Sequence, residues 1–319
     1  KTRPGIAALL EIASRNATRL VAGDLAFAIG PRLNAAGRLD DMSVGIACLL
    51  SQSQEQARDL AQQLDALNRD RQQIEKGMQA QALEIVQQCV IEEKPPALCL
   101  YEPDWHQGVV GIVASRIKDR IHRPVIAFAA ADNGQVKGSA RSIPGLHIRD
   151  ALERVSTLRP KLIDKFGGHA MAAGLSLDEE NLDEFQSLFS QVVADNLAGV
   201  ELESIVETDG ELDIADLNLG LAKALRYASP WGQHFPEPVF DGEFQVVHQR
   251  LVGERHLKLV LAHPQNSQQI IDAIAFNVDL QVWPDETVER VSIGYRLDCN
   301  YYRGEESLQL MVEYLSALK

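Results

Sequence analysis

The sequence predicts an α/β fold joined to a β fold: several helices, one long connecting helix, an α/β lobe and a small antiparallel barrel. Three patterns support this prediction. Residues 53–88 carry one apolar stripe at helical spacing. Between 97 and 193, strand-like and helix-like segments alternate, as in α/β proteins. Beyond residue 238, apolar residues recur with a period of two, which is typical of short antiparallel strands.

The composition is that of an acidic globular protein, with room for two or three domains in 319 residues. The formal charge of −14 argues against a basic coat for nucleic acid. A narrow basic channel is still compatible with it, because salt screens charges beyond about 10 Å. The four cysteines form no CxxC pair, which favours reduced thiols in the cytoplasm over disulfides or a zinc site. We expect no membrane span and no signal peptide, and the opening residues read as a helix already under way, so we expect part of a longer protein.

The first fifty residues predict two helices and a polar loop. An amphipathic helix is expected over Gly5–Val21 and a short apolar helix over Ser43–Ser51. Between them, Gly30-Pro31 interrupts regular structure, and Gly37 permits a second bend, which together predict a loop over 27–40.

This loop carries Arg32, Asn34 and Arg38, a set that could bind an anion. The alternative is that the two arginines pair with Asp40 and Asp41 and only pin the loop. The spacing alone does not separate these interpretations.

Ser53 is expected to cap the long helix, which would extend over roughly 50 Å and is typical of a connection between two lobes. The α/β lobe follows it. We predict, in order, a strand at 97–101, a helix at 109–120, strands at 124–130 and 136–143, a helix at 149–156, a strand at 170–177, and a helix at 182–193 capped by Asp178.

The last third of the chain predicts the barrel. The run Glu201–Asp216 holds seven acids and no base, which marks a border or a solvated edge, and a proline-punctuated connector follows at 230–238. The period-two segments lie at 239–251, 256–264, 270–278 and 288–315. With their glycine-containing turns, they predict an OB-like antiparallel barrel.

The main candidate site is a pair of glycine-rich polar segments, GSARS at 138–142 and FGGHAMAAG at 166–174. Backbone N–H groups at glycines, beside an arginine fork, suit a phosphate. The surrounding stretch 137–169 has a net charge of +4 in an otherwise acidic chain. The candidate residues here are Ser139, Arg141, Gly167, Gly168 and His169, with the last three expected on a tight turn. The alternative for GSARS is an edge strand whose arginine pairs with Asp104 or Asp132, and for GGH a turn with a satisfied histidine.

Trp105 and His106 precede a glycine-containing helix start, and they could stack on and hydrogen-bond a nucleotide. The alternative is that Trp105 closes the core of the lobe while His106 caps the helix. Gly108 and Gly111 are then close-packing glycines.

The barrel offers weaker candidates, since OB domains bind oligonucleotides in many proteins and only pack in others. The possible stacking residues are Phe244, His256, Tyr301 and Tyr302, and the possible phosphate ligands are Arg250, Arg255 and Lys258.

A catalytic centre is not visible in the sequence. Two-metal phosphodiester hydrolysis needs clustered Asp and His residues around paired ions. We find no Asp-His-His cluster, no DxD, no GxSxG and no catalytic-cysteine context. From the residues alone, the chain is a phosphate-reading lobe and a barrel without their own reaction centre.

Six segments resemble the bacterial RecJ family of single-strand-specific 5′→3′ DNA exonucleases, in that family's order. They are IGPRLNAAGRLDD (29–41), DWHQGVVGIVASR (104–116), GSARSIPGLHIRDAL (138–152), KFGGHAMAAGLSL (165–177), PEPVF (236–240) and GERHLKLVL (253–261). FGGHxxAAG alone would mark only the wider DHHA1 domain. The tryptophan segment and the OB-like tail narrow the resemblance to RecJ.

The resemblance implies four parts: the last helices of a DHH lobe (1–52), a connector helix (53–92), a DHHA1 substrate-binding domain (93–198) and an OB-like domain (199–319). It implies that the DHH lobe carries Mn²⁺ or Mg²⁺, and most of that lobe is missing here, so we expect no metal ligands and no activity in this chain alone. Ser139 and Arg141 would hold the 5′-phosphate of single-stranded DNA. Gly167, Gly168 and His169 would assist, with Arg32, Asn34 and Arg38. Trp105 and His106 would line the cleft.

By the same resemblance, the whole protein would act in recombination and repair, beside a single-strand-binding protein. Two alternatives stay open: an oligoribonuclease or cyclic-dinucleotide phosphodiesterase of the same superfamily, and a non-enzymatic module that binds single-stranded DNA.

Overall fold

The computed structural model describes residues 3–92, 95–199 and 205–318. The chain forms two compact units. The first comprises Lys1–Ala17 and Ala28–Ser204, and the second comprises Thr18–Phe27 and Ile205–Lys319. The predicted fold class is confirmed, since the chain has a helical N-terminal part, an α/β sheet and a five-stranded barrel.

The N-terminal part is helical and is organised on α5. In chain order, its helices are α1 (Pro4–Ile12), α2 (Ala22–Asp24), α3 (Gly30–Leu39), α4 (Ser43–Leu50) and α5 (Gln54–Glu92), of which α2 belongs to the second unit. At 39 residues, α5 is about 58 Å long. Ala57, Ala61 and Leu64 form the fully buried stripe of its first half, which packs against α1, α3 and α4.

Two predictions in this part were wrong. The first helix ends at Ile12 and not at Val21, because Ser14 takes a positive φ of 54°, which ends a right-handed helix. The predicted loop at 27–40 is largely helix α3. Pro31 lies in its first turn, where a helix lacks an acceptor for the missing N–H.

The α/β lobe contains one mixed sheet in the order β1-β2-β3-β5-β4. Its elements are β1 (Leu98–Glu102), α6 (Val110–Ile121), β2 (Val125–Ala130), β3 (Gln135–Arg141), α7 (Ile148–Leu158), β4 (Lys165–Gly168), β5 (Ala172–Asp178) and α8 (Leu182–Asn196). In this sheet, β1 and β2 pair in parallel and the other three pairings are antiparallel. Helices α7 and α8 cover one face, while α6 covers β2 and β3 on the other.

Strand β4 and the start of α8 differ from the prediction. Gly167 and Gly168 were expected to lie with His169 on a tight turn, but they belong to β4, which pairs with β5, and the turn comes after Gly168. Asp178 makes no capping side-chain bond; a short helical turn at Glu179–Asn181 leads into α8 instead.

The second unit is a closed barrel in the order β10-β8-β7-β6-β9. Its elements are α9 (Leu219–Ala228), β6 (Phe240–Val252), β7 (His256–His263), β8 (Asn266–Ala275), β9 (Arg290–Tyr302) and β10 (Glu305–Leu318). A parallel pairing of β8 with β10 closes it. Helix α9 was not predicted. Phe244 is 1% exposed in the barrel core, so the prediction that it stacks on a base was wrong.

The first residues of the predicted acidic border, 201–204, lie outside the described residues. The rest of that run contacts β6: Glu211 forms a bridge with Asp241, the Asp241 N–H donates to the Gly210 carbonyl, and the Thr208 hydroxyl donates to the Asp241 carboxylate. The four-part domain division stays a prediction. In the part of the chain that the structure describes, no helix has both the length and the apolar character of a membrane span.

Candidate nucleic-acid interface

Strand β3 divides its side chains between the core and an opposite, polar face. Gly138 and Ala140 point into the core, where a Cβ on Gly138 would lie 2.5 Å from the Phe128 ring. Ser139 and Arg141 therefore lie together on the other face. Because β3 pairs with β2 and β5 on its two sides, it is not the edge strand of the alternative interpretation.

Arg141 is a half-buried cation without an acidic partner among the described residues. Its Nη1 donates hydrogen bonds to Ser139 Oγ (3.0 Å) and to the Ala140 carbonyl (2.8 Å). The alternative pairing with Asp104 or Asp132 is not formed. Burial, and then the positive charge of Arg38, lower the pKa of Arg141. A bound anion would relieve both penalties on the charged guanidinium.

The N-terminus of α6 lies against this arginine. A Cβ on Gly111 would be 2.7 Å from Arg141 Nη2 and 2.8 Å from Ser139 Oγ, so only glycine permits this approach. The first turn of a helix carries the positive end of its dipole and free N–H groups. The helix end and the arginine thus favour the same sign of ligand charge.

Helix α3 joins the site through Arg38. Its Nη1 donates to the Gly108 carbonyl at 3.0 Å, and a Cβ on Gly108 would lie 2.2 Å from the Arg38 carbonyl oxygen. Asn34 is exposed one turn earlier, on the same side of α3. The alternative pairing of Arg38 with Asp40 or Asp41 is not formed.

Arg32 lies apart from this group. It donates to Asp65 Oδ1 at 2.9 Å and to the Ala28 carbonyl at 2.7 Å, which ties α3 to α5. It is therefore a structural ion pair, although with a different partner from the predicted one.

The glycine segment lies beside Ser139 in the sheet. In the register of the three strands, Ser139 on β3 faces Gly174 on β5, and Gly174 faces Gly167 on β4. Gly168 has a φ of +154°, and a Cβ there would lie 2.4 Å from the Ala172 carbonyl oxygen, so the hairpin itself requires this glycine. His169 is exposed and opens the turn. Gly174 was not singled out from the sequence, since its place in this row depends on strand register.

Trp105 and His106 have different roles in the structure. Trp105 is 4% exposed, and its Nε1 donates to Gln81 Oε1 on α5 at 2.9 Å. That placement fits the interpretation of Trp105 as a core residue and leaves no ring face for a base. His106 is exposed, and its Nδ1 accepts the Gly108 N–H at 3.0 Å, so it caps the turn before α6.

The barrel candidates lie at two ends of β6. Arg255 lies in the β6–β7 turn and His256 begins β7, whereas Tyr302 lies beyond the other end of β6, past the Phe240–Tyr295 pair. His256 contacts Phe276 at 5.0 Å between ring centroids. Tyr302 is 64% exposed, with the Arg303 guanidinium 5.2 Å from its ring centroid.

The remaining barrel candidates are only partly available. Lys258 pairs with Asp272 at 2.8 Å, and Arg250 is exposed opposite Lys258 on the paired strand. At the other end, Tyr301 is 37% exposed with Arg19 against its ring, a pair that the sequence did not indicate.

Within residues 3–92, 95–199 and 205–318, no group of three or more His, Cys, Asp or Glu side chains could hold a metal ion. The described residues therefore do not fit a metal centre, and no step through a metal is assigned to them.

Residues 94–195 match the DHHA1 domain, and residues 208–314 match the RecJ OB domain. Along 99% of its length, the chain is 57% identical to the single-stranded-DNA-specific exonuclease RecJ of Dickeya dadantii. The chain belongs to the RecJ family. It spans about 55% of the length of that relative.

Two solved RecJ structures from Thermus thermophilus have the same fold. The structure in complex with Mn²⁺ matches with a TM-score of 0.79 and 26% identity, over 100% of this chain and 45% of that one. The structure in complex with Mg²⁺ matches with a TM-score of 0.77 and 25% identity, over 100% of this chain and 47% of that one. The metals belong to those RecJ chains, of which this chain corresponds to less than half.

Proposed function

We propose that this chain is the substrate-reading part of a RecJ exonuclease, and that its Ser139–Arg141 site binds the 5′-phosphate of single-stranded DNA. The observation that carries the proposal is the half-buried Arg141, which has no described carboxylate partner and lies beside Arg38 and the N-terminus of α6. Three positive features that meet at one point are expected to bind an anion.

The geometry favours a terminal phosphate over a phosphate within a strand. Only Nη1 of the Arg141 guanidinium is engaged by Ser139 and Ala140, so Nε and Nη2 keep donors for a ligand. A terminal phosphate carries more charge and more free oxygens than an internal diester, and so benefits more from a fork and a helix end. Holding that end would select which phosphodiester bond is presented for hydrolysis.

The full reaction in this proposal is metal-dependent hydrolysis, with Mn²⁺ or Mg²⁺ bound by residues that this chain does not contribute. The names of the relatives and the metal-bound RecJ structures support it. The chain's own residues bind and orient the strand. A single-strand-binding protein as partner belongs to the same proposal.

The test is binding of single-stranded DNA with and without a 5′-phosphate, at fixed salt, by the chain and by Arg141→Ala. We expect the 5′-phosphate to tighten binding, and Arg141→Ala to abolish that gain, a loss of about 1.5–3 kcal/mol for a charged hydrogen-bond partner. Arg154→Ala is the control, because Arg154 is an exposed arginine on α7, the helix that covers the opposite face of the sheet. A wild-type chain that binds both DNAs equally well would contradict the 5′-phosphate assignment.

A further inference from the structure

Part of the polar face of the sheet is uncovered. Helix α6 packs on this face over β2 and β3, and no described helix covers it over β5 and β4. Gly167, Ala172 and Gly174 are accordingly exposed there. The result is an open floor of small residues that begins at Ser139 and extends to the sheet edge.

The backbone and the packing of the sheet do not require glycine at either of the two floor glycines, Gly167 and Gly174. Gly167 and Gly174 have no positive φ, so their backbone does not require glycine. A Cβ on Gly167 would meet nothing within 4 Å, and one on Gly174 would meet only the Gly138 carbonyl oxygen, at 3.9 Å. Since glycine weakens a strand, two in one cross-strand row indicate close approach of a ligand.

A pair of lysines borders the floor. In the strand register, Lys137 on β3 and Lys165 on β4 both face Ser176 on β5, which lies between them. The lysine backbones are therefore about 10 Å apart, and their row lies about 7 Å beyond the glycine row. Both are exposed, and neither has an ion pair with a described residue.

The next row ends the positive surface. Gln135 faces Asp178 across β3 and β5, and its side-chain amide donates to Asp164 Oδ2 at 3.0 Å. Along the strands, the face thus presents Arg141, then the glycine floor, then the two lysines, and then two acids. A polyanion is attracted as far as the lysines and repelled beyond them.

We propose that the DNA strand leaves the 5′-phosphate site across this glycine floor, and that Lys137 and Lys165 bind phosphates further along it. The inference rests on the proposed function and extends it from the end of the strand to its path. The bare floor lets a sugar or a base lie flat on the sheet, and the acidic row limits the path to a few nucleotides.

The experiment compares two 5′-phosphorylated probes, the mononucleotide pT and the tetranucleotide p(dT)4. The variant Lys137→Gln/Lys165→Gln is expected to bind pT as the wild type does and to bind p(dT)4 about tenfold more weakly. Its salt dependence for p(dT)4 should be shallower by about 1.4 in log K against log salt, since each single-strand phosphate contact contributes about 0.7. The charge-matched control is Arg154→Gln/Lys161→Gln, which removes two exposed cations outside the floor.

A second variant separates a ligand floor from a structural one. Gly167→Ala/Gly174→Ala adds two methyl groups into open space, so its melting temperature should stay the same or rise. Its affinity for p(dT)4 should nevertheless fall, because the methyl groups stand where the strand would lie.

The outcomes distinguish this inference from the proposed function. If p(dT)4 binds the lysine and glycine variants as tightly as the wild type, the path is wrong, whether or not Arg141 reads a 5′-phosphate. If those variants weaken p(dT)4 while the 5′-phosphate makes no difference, the path stands and the end-reading function falls. If Arg154→Gln/Lys161→Gln lost as much affinity for p(dT)4 as the lysine variant, the effect of Lys137 and Lys165 would be one of net charge alone, and the proposed path would be overturned.

Discussion

The environment of Arg141 differs from that of the paired arginines in its unit. Arg32 and Arg159 have carboxylate partners at 2.9 and 2.6 Å. Arg141 instead has a hydroxyl, a carbonyl and a neighbouring cation, and burial and that cation lower its pKa where a carboxylate would raise it. A half-buried charge kept without a counter-ion indicates a functional constraint, since the fold alone would favour pairing.

Gly111→Ala tests the fit between α6 and this arginine. The new Cβ would meet the flexible end of Arg141 and the Ser139 hydroxyl, not backbone, so the fold should survive while the guanidinium is displaced. We expect the 5′-phosphate preference to fall about tenfold, a loss of roughly 1.4 kcal/mol in binding. Binding and thermal unfolding measured together check this.

Gly77→Ala is the matched control for that substitution. Gly77 lies within α5 with open space around its Cβ position, so alanine should stabilise the helix by about 0.5–1 kcal/mol without touching the site. A Gly111→Ala variant that keeps the full phosphate preference would argue against the role of the α6 approach.

Helix α3 is the element that sequence patterns misjudged. Glycine and proline are local interruption signals, but Pro31 falls in the first turn, where it is tolerated. Ala35 and Ala36 are 0% exposed, so burial outweighs the weak propensity of this segment. Its helical form is what carries Arg38 to Gly108.

Arg32→Gln is predicted to act on this element and not on the ligand. It removes the half-buried pair with Asp65, and should cost about 1–3 kcal/mol of unfolding free energy. The preference for a 5′-phosphate should be unchanged once the protein is folded. Urea unfolding combined with the DNA-binding assay measures both; a selective loss of phosphate preference would instead place Arg32 in the site.

At the scale of the molecule, α4 presents an apolar stripe to solvent. Met42, Ile46 and Leu50 are 38%, 51% and 61% exposed, at four-residue spacing, and the helix contains no charged residue. Such a helix is normally buried. Because the chain spans about 55% of its Dickeya relative, we expect the rest of a full-length protein to cover this stripe.

Ile46→Lys tests that expectation. In this chain, the substitution at an exposed site should change unfolding free energy by less than about 0.5 kcal/mol. In the full-length protein, burying the lysine should destabilise the fold by several kcal/mol. An equally small change in unfolding free energy in the two proteins would show that the rest of the full-length protein does not cover the stripe.

We propose that the reaction, too, requires the full-length protein. We expect this chain with Mn²⁺ to release no nucleotides from 5′-phosphorylated single-stranded DNA, and the full-length protein to do so until the metal is chelated. Nucleotide release by the purified chain alone would contradict the division of labour that we propose.

Local and periodic features determined a large part of this protein from sequence alone. Burial of one face of a helix or strand sets the spacing of its apolar residues. That spacing is visible in the stripe of α5, in the alternating segments of the α/β lobe and in the period-two segments of the barrel. The motifs around Ser139, Arg141 and Gly167 were visible in the sequence for a different reason: the residues of each motif are contiguous in the chain.

The tertiary structure decided which residues meet. Strand register joins Ser139 to Gly174 and Gly167, and a helix approach permitted by Gly111 brings α6 to Arg141. Trp105 is buried and bonded to α5, so it is not available to stack on a base. Arg32 forms an ion pair with Asp65, which is distant in sequence, and so is not available to bind a phosphate. These outcomes depend on contacts between segments far apart in sequence, and local propensity carries no information about such contacts.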